Sequence, residues 1–120
     1  MTDIIGVGLD LVDVNRFART LERRPSLAQR LFTEEERSTK RPERLAVRFA
    51  AKEAVMKALR SGIGSMAFRE IEVVLLPSGA PTVVLHGRAA EIATSRGVRS
   101  WQISLSHTDA TAGAVVIAQS

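Results

Sequence analysis

The stretch PERLAVRFAAKEAVMKALR, which runs from Pro42 to Arg60, decides the fold of this chain. Most of its residues are strong helix formers, and Pro42 can occupy the first turn, where its missing amide N–H is not needed. Gly62, just beyond the stretch, suits a left-handed helix stop. Apolar residues, many of them small, cover a broad face and extend nearly around the cylinder: Val47, Phe49, Ala50, Ala51, Ala54, Val55, Met56, Ala58 and Leu59. The stretch therefore predicts a long, largely buried central helix.

The segment before the central helix predicts a strand followed by a helix. Asp3 to Leu11 is rich in apolar and β-branched residues, and its glycines, Gly6 and Gly8, allow bending or a close approach of another backbone. Asp13 is a good N-cap for a helix from Val14 to about Arg23, because a carboxylate can accept the free amides of a first turn. The N-terminal part of the chain thus predicts a strand that leads directly into a capped helix.

Shorter elements complete the pattern. It predicts a short helix, a capping box, a β-hairpin, another helix and two strands, at Leu27–Phe32, Thr33–Glu36, Phe68–Leu85, Arg88–Ser95, Val98–Leu105 and Thr111–Ala118. This order of elements indicates an α+β fold in which an antiparallel sheet packs on the long central helix. At 120 residues, without repeats or linkers, the chain is expected to form a single domain over residues 1–120.

Composition narrows the classes of function. Cysteine is absent, which excludes disulfides and thiolate metal sites, so a metal would need oxygen or histidine ligands and would be a hard cation. The start of the chain has no basic region typical of a signal peptide, and no apolar run approaches the ~20 residues of a membrane helix. We therefore expect a cytoplasmic protein without a membrane partner. A domain this small leaves apolar surface partly covered, which makes self-association plausible.

The net charge of +4 favours an acidic partner. A basic nucleic-acid-binding module without catalysis is one alternative, and it would need neither a metal nor a pair of carboxylates. The chain has no tyrosine and one tryptophan, so side chains on which bases could stack are scarce, and no nucleic-acid-binding motif is present. Anionic lipid, a phosphorylated small molecule and an acidic protein are the other classes of partner that fit the charge.

Four charged residues interrupt the apolar central helix: Arg48, Lys52, Glu53 and Lys57. Residues four positions apart on a helix are neighbours, so a salt pair between Glu53 and Lys57 with solvated residues around it is one interpretation. The other interpretation is an anion-binding site with a carboxylate that could hold a metal. Spacing alone leaves both open, although a buried charge of either kind needs a partner.

Three further features are ambiguous when each is taken alone. Asp10 lies where the first strand ends, a place typical of a turn or capping residue. The segment Gly62-Ile63-Gly64-Ser65 could contact phosphate through its backbone, but it lacks the lysine of a P-loop and follows a helix, so a structural helix end fits better. His107 could be a general base, a phosphate ligand or a loop residue that only makes hydrogen bonds, whereas His86 is interpreted as structural.

Taken together and in order, these segments resemble a known family. The matching motifs are Gly6-Val7-Gly8-Leu9-Asp10-Leu11, then Arg48-Phe49-Ala50-Ala51-Lys52-Glu53-Ala54 with Lys57 and Ala58, then Gly62-Ile63-Gly64, Gly79-Ala80-Pro81 and Ser104-Leu105-Ser106-His107-Thr108. Over nearly its whole length the chain resembles the holo-acyl-carrier-protein synthases, within the phosphopantetheinyl transferase superfamily. The resemblance implies Mg²⁺-dependent transfer of 4′-phosphopantetheine from coenzyme A to a serine of an apo acyl carrier protein, with release of adenosine 3′,5′-bisphosphate. Carriers of both fatty acid and polyketide synthesis stay open as acceptors.

The resemblance also implies roles for single residues. Asp10 and Glu53 would hold one magnesium ion, and Lys57 would stabilise the departing phosphate. Arg48, Lys52 and Lys57 would contact the phosphates of coenzyme A, together with the backbone and side chain of the segment after the helix: Gly62, Gly64 and Ser65. The serine needs a base. Glu53 is the first candidate for it and His107 the second.

The resemblance further implies two protein partners. In this family the active site lies between protomers of a homotrimer, so residues of two chains would share one site. The second partner is an acidic acyl carrier protein, and Arg16 matches a family position that contacts it. Arg19 and Arg23 extend the same helix, as part of the carrier surface or as an ordinary solvated face.

Overall fold

The computed structural model describes residues 2–62 and 64–120, and the elements follow the expected order. Helices are α1 (Val14–Arg23), α2 (Leu27–Leu31), α3 (Pro42–Ala58) and α4 (Gly87–Ser95), with 3₁₀ turns at Glu36–Ser38 and Phe68–Glu70. Strands are β1 (Ile4–Asp13), β2 (Ile71–Leu75), β3 (Pro81–Leu85), β4 (Ser100–His107) and β5 (Thr111–Gln119). The α+β class with a sheet on a long central helix is confirmed. No helix within the described residues is long and apolar enough to cross a membrane.

The larger sheet is antiparallel, with strand order β1-β5-β4, and β2 and β3 form a separate hairpin. Side chains on alternate residues of a strand point to opposite faces, so one set faces α3. On β5 that set is Ala112, Ala114, Val116 and Ala118, all buried. Asp10 is paired with Ala114 in the register and therefore lies on the same face as this buried set. The sheet thus carries a carboxylate toward the central helix.

Helix α3 occupies the centre of the molecule, as its sequence predicts. Its alanines and valines are buried on the side of the sheet, and Ala50, Ala51 and Ala54 have no exposed surface. A Cβ atom at Gly6 would overlap the carbonyl oxygen of Ala58, and one at Gly8 would overlap the carbonyl oxygen of Ala54. Strand β1 therefore lies in direct backbone contact with α3, which only glycine allows at these two positions.

The predicted caps are confirmed at α1 and at the capping box. The Asp13 carboxylate accepts the Arg16 amide at 2.8 Å. In the capping box, the Thr33 amide donates to the Glu36 carboxylate at 2.9 Å, and the Glu36 amide donates to the Thr33 hydroxyl at 3.2 Å. The box opens a 3₁₀ turn instead of a longer helix.

Three local predictions are wrong. Arg60, with φ of 54°, takes the left-handed position after α3 that Gly62 was expected to hold. The Arg60 and Ser61 amides donate to the carbonyl oxygens of Lys57 and Met56, so the helix end closes two residues earlier than predicted.

The hairpin strand was also expected to start at Phe68. A 3₁₀ turn precedes β2 instead, because the Glu70 carboxylate accepts the amides of Ala67 and Arg88 and closes the chain into a turn. The boundary of β4 differs too, since His107 belongs to the strand and not to the following loop.

The face of the sheet that points away from α3 is apolar and exposed. On β1, Val7, Leu9 and Leu11 are 56%, 59% and 68% exposed, and Val115 of β5 lies beside Leu9 in the register. We call this surface the open sheet face and define it by those four residues. Contiguous apolar surface of this kind is typical of an interaction site.

Substitution of Gly8 by alanine should destabilise the protein, because the new Cβ would collide with backbone of α3 that cannot rotate away. We expect a loss of about 3 kcal/mol or more in the free energy of unfolding. Chemical denaturation followed by circular dichroism measures it. Gly62→Ala is the matched control, since a Cβ there has no atom within 4 Å. Equal stability of the two variants would contradict the close contact.

Candidate active site

Two concave surfaces lie on different sides of α3. The first, the carboxylate pocket, is bounded by β1, α1, α2 and α3 and is lined by Asp10, Leu11, Val12, Asp13, Arg16, Phe17, Thr20, Leu27, Leu31, Phe49, Glu53 and Phe68. The second, the arginine pocket, is lined by Arg44, Val47, Arg48, Val73, Leu75, Gly79, Pro81, Ile103, Ser104, Leu105 and His107. Their volumes, about 470 and 410 Å³, are in the range of small-molecule sites. No residue lines both.

Asp10 and Glu53 meet in the carboxylate pocket, as expected. The contact of Gly8 with Ala54 places β1 directly against α3. Asp10 follows Gly8 by two residues, and Glu53 directly precedes Ala54. Burial raises the pKa of Glu53, the negative charge of Asp10 raises it further, and the positive charge of Lys57 opposes both effects. The site therefore places two acidic groups close enough to repel each other.

Lys57 pairs with Asp10 and not with Glu53. Its ammonium donates to the Asp10 carboxylate at 3.0 Å and to the carbonyl oxygen of Leu9 at 2.9 Å. The i,i+4 salt pair within the helix, one of the two interpretations of the sequence, is thus wrong for the described residues. The Lys57 side chain is 54% exposed, so its ammonium reaches the solvent beside the two carboxylates.

The donor set fits magnesium. Mg²⁺ in proteins is usually held by one or two carboxylates, with waters and substrate phosphate completing its octahedron. Asp10 and Glu53 supply two carboxylates whose negative charges repel each other, and a cation between them would relieve that repulsion. The described residues contain no group of three acidic or histidine side chains that could hold a metal without a substrate.

Lys52 is buried in the core, whereas a ligand of phosphate must reach a pocket or the surface. The expectation that Lys52 contacts coenzyme A is therefore corrected. Lys52 has no exposed surface, and its ammonium donates to the Glu36 carboxylate at 2.7 Å, to the Phe68 carbonyl at 3.0 Å and to the Ile71 carbonyl. Burial lowers the pKa of Lys52, and the charge of Glu36 opposes that effect. All three N–H bonds of the ammonium are used inside the core.

Arg48 and His107 lie in the arginine pocket, away from Glu53. One guanidinium N–H of Arg48 donates to the carbonyl oxygen of Glu36 at 3.2 Å, and the rest of the half-buried group lines the pocket. Burial lowers the pKa of Arg48, while the charge of Glu36 opposes that change. His107 is exposed at the end of β4. Within one chain, therefore, the two candidate bases do not share a pocket.

The segment after α3 lines neither of these two pockets. Ser65 donates its hydroxyl to the Gly62 carbonyl at 2.6 Å and its amide to the same oxygen at 3.2 Å, which closes a turn. Gly64 has a φ of 94°, which favours glycine. Ile63 lies outside the described residues. The predicted coenzyme A contacts of Gly62, Gly64 and Ser65 stay predictions.

Of the three arginines assigned to the carrier surface, only Arg16 borders the carboxylate pocket. Arg19 and Arg23 are exposed on the same helix and lie outside both pockets.

Two features of the pockets were not predicted from the sequence: the stacked phenylalanine rings of the carboxylate pocket and Arg44 of the arginine pocket. The rings of Phe17 and Phe49 stack with centroids 5.0 Å apart, and those of Phe49 and Phe68 stack at 5.5 Å. No sequence signal joins these three residues. Arg44 lies one helical turn before Arg48, and that spacing could have marked it as a second cation of the same pocket.

Comparison with known proteins agrees with this geometry. Residues 6–114 match the 4′-phosphopantetheinyl transferase superfamily. The chain is 49% identical over 117 residues to a holo-[acyl-carrier-protein] synthase of Frankia alni, covering 98% of both chains. It is 47% identical to one of Salinispora arenicola, covering 97% of this chain and 98% of that one.

Solved structures agree as well. The crystal structure of the synthase from Neisseria meningitidis has a TM-score of 0.88 at 32% identity and covers 97% of this chain and 98% of its own. The Helicobacter pylori synthase in complex with coenzyme A has a TM-score of 0.84 at 29% identity, over 93% and 98% of the two chains. The resemblance inferred from the motifs is confirmed, and the chain belongs to the holo-[acyl-carrier-protein] synthase family of the 4′-phosphopantetheinyl transferase superfamily.

Proposed function

We propose that the chain is an enzyme that transfers 4′-phosphopantetheine from coenzyme A to a serine of an apo acyl carrier protein. The observation that carries the proposal is that Asp10 and Glu53 line one pocket of a chain of this family, with the Lys57 ammonium 3.0 Å from the Asp10 carboxylate. The serine oxygen forms a bond to the phosphorus next to pantetheine, and the bond from that phosphorus to the bridging oxygen breaks. Adenosine 3′,5′-bisphosphate leaves with the electron pair.

Asp10 and Glu53 would hold a magnesium ion, which supplies positive charge to the pyrophosphate when it is bound. The Lys57 ammonium would stabilise the departing phosphate, because its side chain is more than half exposed and it contacts the Asp10 carboxylate. Glu53 is our first candidate for the base that takes the serine proton, since its carboxylate lines the pocket in which the pyrophosphate would react. His107 is the second.

The arginine pocket has the chemistry for the nucleotide part of coenzyme A. Arg44 and Arg48 supply cations for phosphate, and Ser104 and His107 supply hydrogen-bonding groups. Apolar residues from α3, β2 and β4 complete the walls and give a surface for a base: Val47, Val73, Leu75, Ile103 and Leu105.

A homotrimer would bring the two pockets together. Arg48 and Glu53 are five residues apart on α3, and at about 100° per residue they point about 140° apart. Coenzyme A, which must meet both sets of groups, would therefore lie between the arginine pocket of one protomer and the carboxylate pocket of the next. The open sheet face, with Val7, Leu9 and Leu11 more than half exposed, supplies apolar surface for the protomers to bury.

An acidic carrier would explain the net charge of +4 better than nucleic acid does. Arg16 follows directly on the segment that holds Asp10 and borders the same pocket, so a carrier that docks on α1 could present its serine to the site. A cytoplasmic location stays a prediction.

The decisive experiment is intact-mass analysis of an apo carrier protein after incubation with coenzyme A, Mg²⁺ and this chain. We expect the carrier to gain one phosphopantetheine group. Asp10→Asn and Glu53→Gln should each slow this gain at least about a hundredfold, because each removes a charged metal ligand worth several kcal/mol in the transition state. Both should also weaken the binding of Mn²⁺, followed by electron paramagnetic resonance.

Asp109→Asn is the matched control for those two variants, since Asp109 is an exposed carboxylate outside both pockets. We expect it to retain wild-type activity and Mn²⁺ affinity. Full activity of Asp10→Asn or Glu53→Gln at low Mg²⁺ would contradict the assignment of these residues as metal ligands. A carrier protein that stays unmodified after incubation with the wild-type chain would contradict the proposed function.

The trimer is tested on the open sheet face. Light scattering should give the wild-type chain three times its 13.0 kDa mass, and Val7→Glu should shift it to a monomer with little activity, because a charge cannot be buried there without a partner. Val84→Glu is the control, since Val84 is an exposed apolar residue of β3, in the other sheet, and lines neither pocket. A wild-type monomer with full activity would refute the shared site.

Carrier docking is tested at Arg16. Arg16→Ala should raise the Michaelis constant for the carrier protein about threefold to tenfold and leave that for coenzyme A unchanged, because an exposed rim charge acts mainly on the encounter. Added salt should erode the difference. Arg88→Ala, on the exposed surface of α4, is the control. An equal loss toward both substrates would place Arg16 outside the docking surface.

A further inference from the structure

The most buried charges of the protein are not used by the proposed chemistry. Lys52 has no exposed surface and Glu36 is 2% exposed, and their charged groups lie 2.7 Å apart. Every other N–H of the Lys52 ammonium donates to backbone, at Phe68 and Ile71. The Glu36 carboxylate also accepts the amides of Thr33 and Val73, each at 2.9 Å. The pair faces neither pocket, so it does not bind a ligand directly.

The pair is a poor explanation of stability by itself. Burying two charges costs several kcal/mol for each ion, and neutral side chains of similar volume often give equal stability. Neutral apolar side chains would not form directional hydrogen bonds, and the hydrogen bonds of this pair fix three segments relative to one another. Lys52 belongs to α3, Glu36 belongs to the turn that precedes it, and Ile71 and Val73 belong to β2.

Two of the held segments are walls of the arginine pocket. Helix α3 supplies Arg48, whose guanidinium donates to the Glu36 carbonyl at 3.2 Å. Strand β2 supplies Val73, whose amide donates to the Glu36 carboxylate. Glu36 thus contacts Arg48 through its backbone carbonyl and Val73, on another wall of the pocket, through its carboxylate. Lys52 holds that carboxylate in place.

We propose that the buried Glu36–Lys52 pair positions Arg48 against β2 for the binding of coenzyme A. Both members are positioning residues and act through Arg48 and Val73. The inference rests on the proposed role of the arginine pocket. It also gives Lys52 a function different from the phosphate contact that its place in the motif suggests.

The test replaces both charges together, so that neither is left unpaired in the core. In the double variant Glu36→Gln with Lys52→Met, calorimetric titration with coenzyme A should show binding roughly tenfold weaker, with an unfolding temperature close to that of the wild type. The Michaelis constant for coenzyme A should rise by the same factor, and that for the carrier protein should not change. Glu35→Gln with Lys40→Met makes the same charge changes at neighbouring exposed residues and should leave coenzyme A binding unchanged.

A second arm shows whether the pair acts through Arg48. Arg48→Ala should itself weaken coenzyme A binding, and adding the double substitution to it should cause little further loss, because the group being positioned is already absent. If Arg48→Ala binds coenzyme A normally, the proposed role of the pocket fails. If Arg48→Ala binds poorly and the double variant binds normally, only the positioning role fails.

A double variant that does not fold would be replaced by Glu36→Asp. Aspartate keeps the charge but is shorter by one methylene, so it cannot reach both Lys52 and the Val73 amide as Glu36 does. We expect a smaller loss of coenzyme A affinity in the same direction. Wild-type affinity in a folded Glu36→Asp protein would overturn the inference.

Discussion

The backbone contact between β1 and α3 is the constraint on which the rest of the structure depends. Gly6 and Gly8 let the strand lie directly against the carbonyl oxygens of Ala58 and Ala54, a distance that no side chain would permit. The alanines of β5 continue the same close packing across the sheet. Because β1 lies this close to α3, Asp10 comes near Glu53 despite their separation in sequence. The carboxylate pair is thus a product of the packing.

Two lysines on α3 show how burial divides similar residues into different roles. Lys52 and Lys57 are five positions apart, and each pairs with an acid from another part of the chain. Around Lys52 the core excludes water, so each N–H of its ammonium donates to Glu36 or to a backbone oxygen. Around Lys57 more than half of the side chain is exposed, so its bond to Asp10 is exchangeable with solvent or a phosphate. One lysine holds structure, and the other can meet a substrate.

The features that the sequence predicts well are those that depend on neighbours along the chain. Helix α3 and the Asp13 cap follow from local composition, and both are confirmed. That Asp10 and Glu53 meet was implied by the resemblance to the family and not by local composition. The partners of the helix charges could not be predicted, because Lys52 meets an acid 16 residues away and Lys57 one 47 residues away. Which lysine is buried depends on how α3 is rotated against the sheet and the hairpin, and tertiary packing alone sets that rotation.

The same rotation explains why a single chain would hold only parts of the site. A helix that is buried on most sides presents its polar residues through separate gaps in the packing around it, and Arg48 and Glu53 lie in two such gaps, the arginine pocket and the carboxylate pocket. Arg48 and Glu53 cannot approach each other without unwinding α3, since the helix fixes the angle between them. A larger domain could add an element to bridge the gaps. No element within the described residues joins the two pockets, and in the proposed homotrimer a second copy would do so.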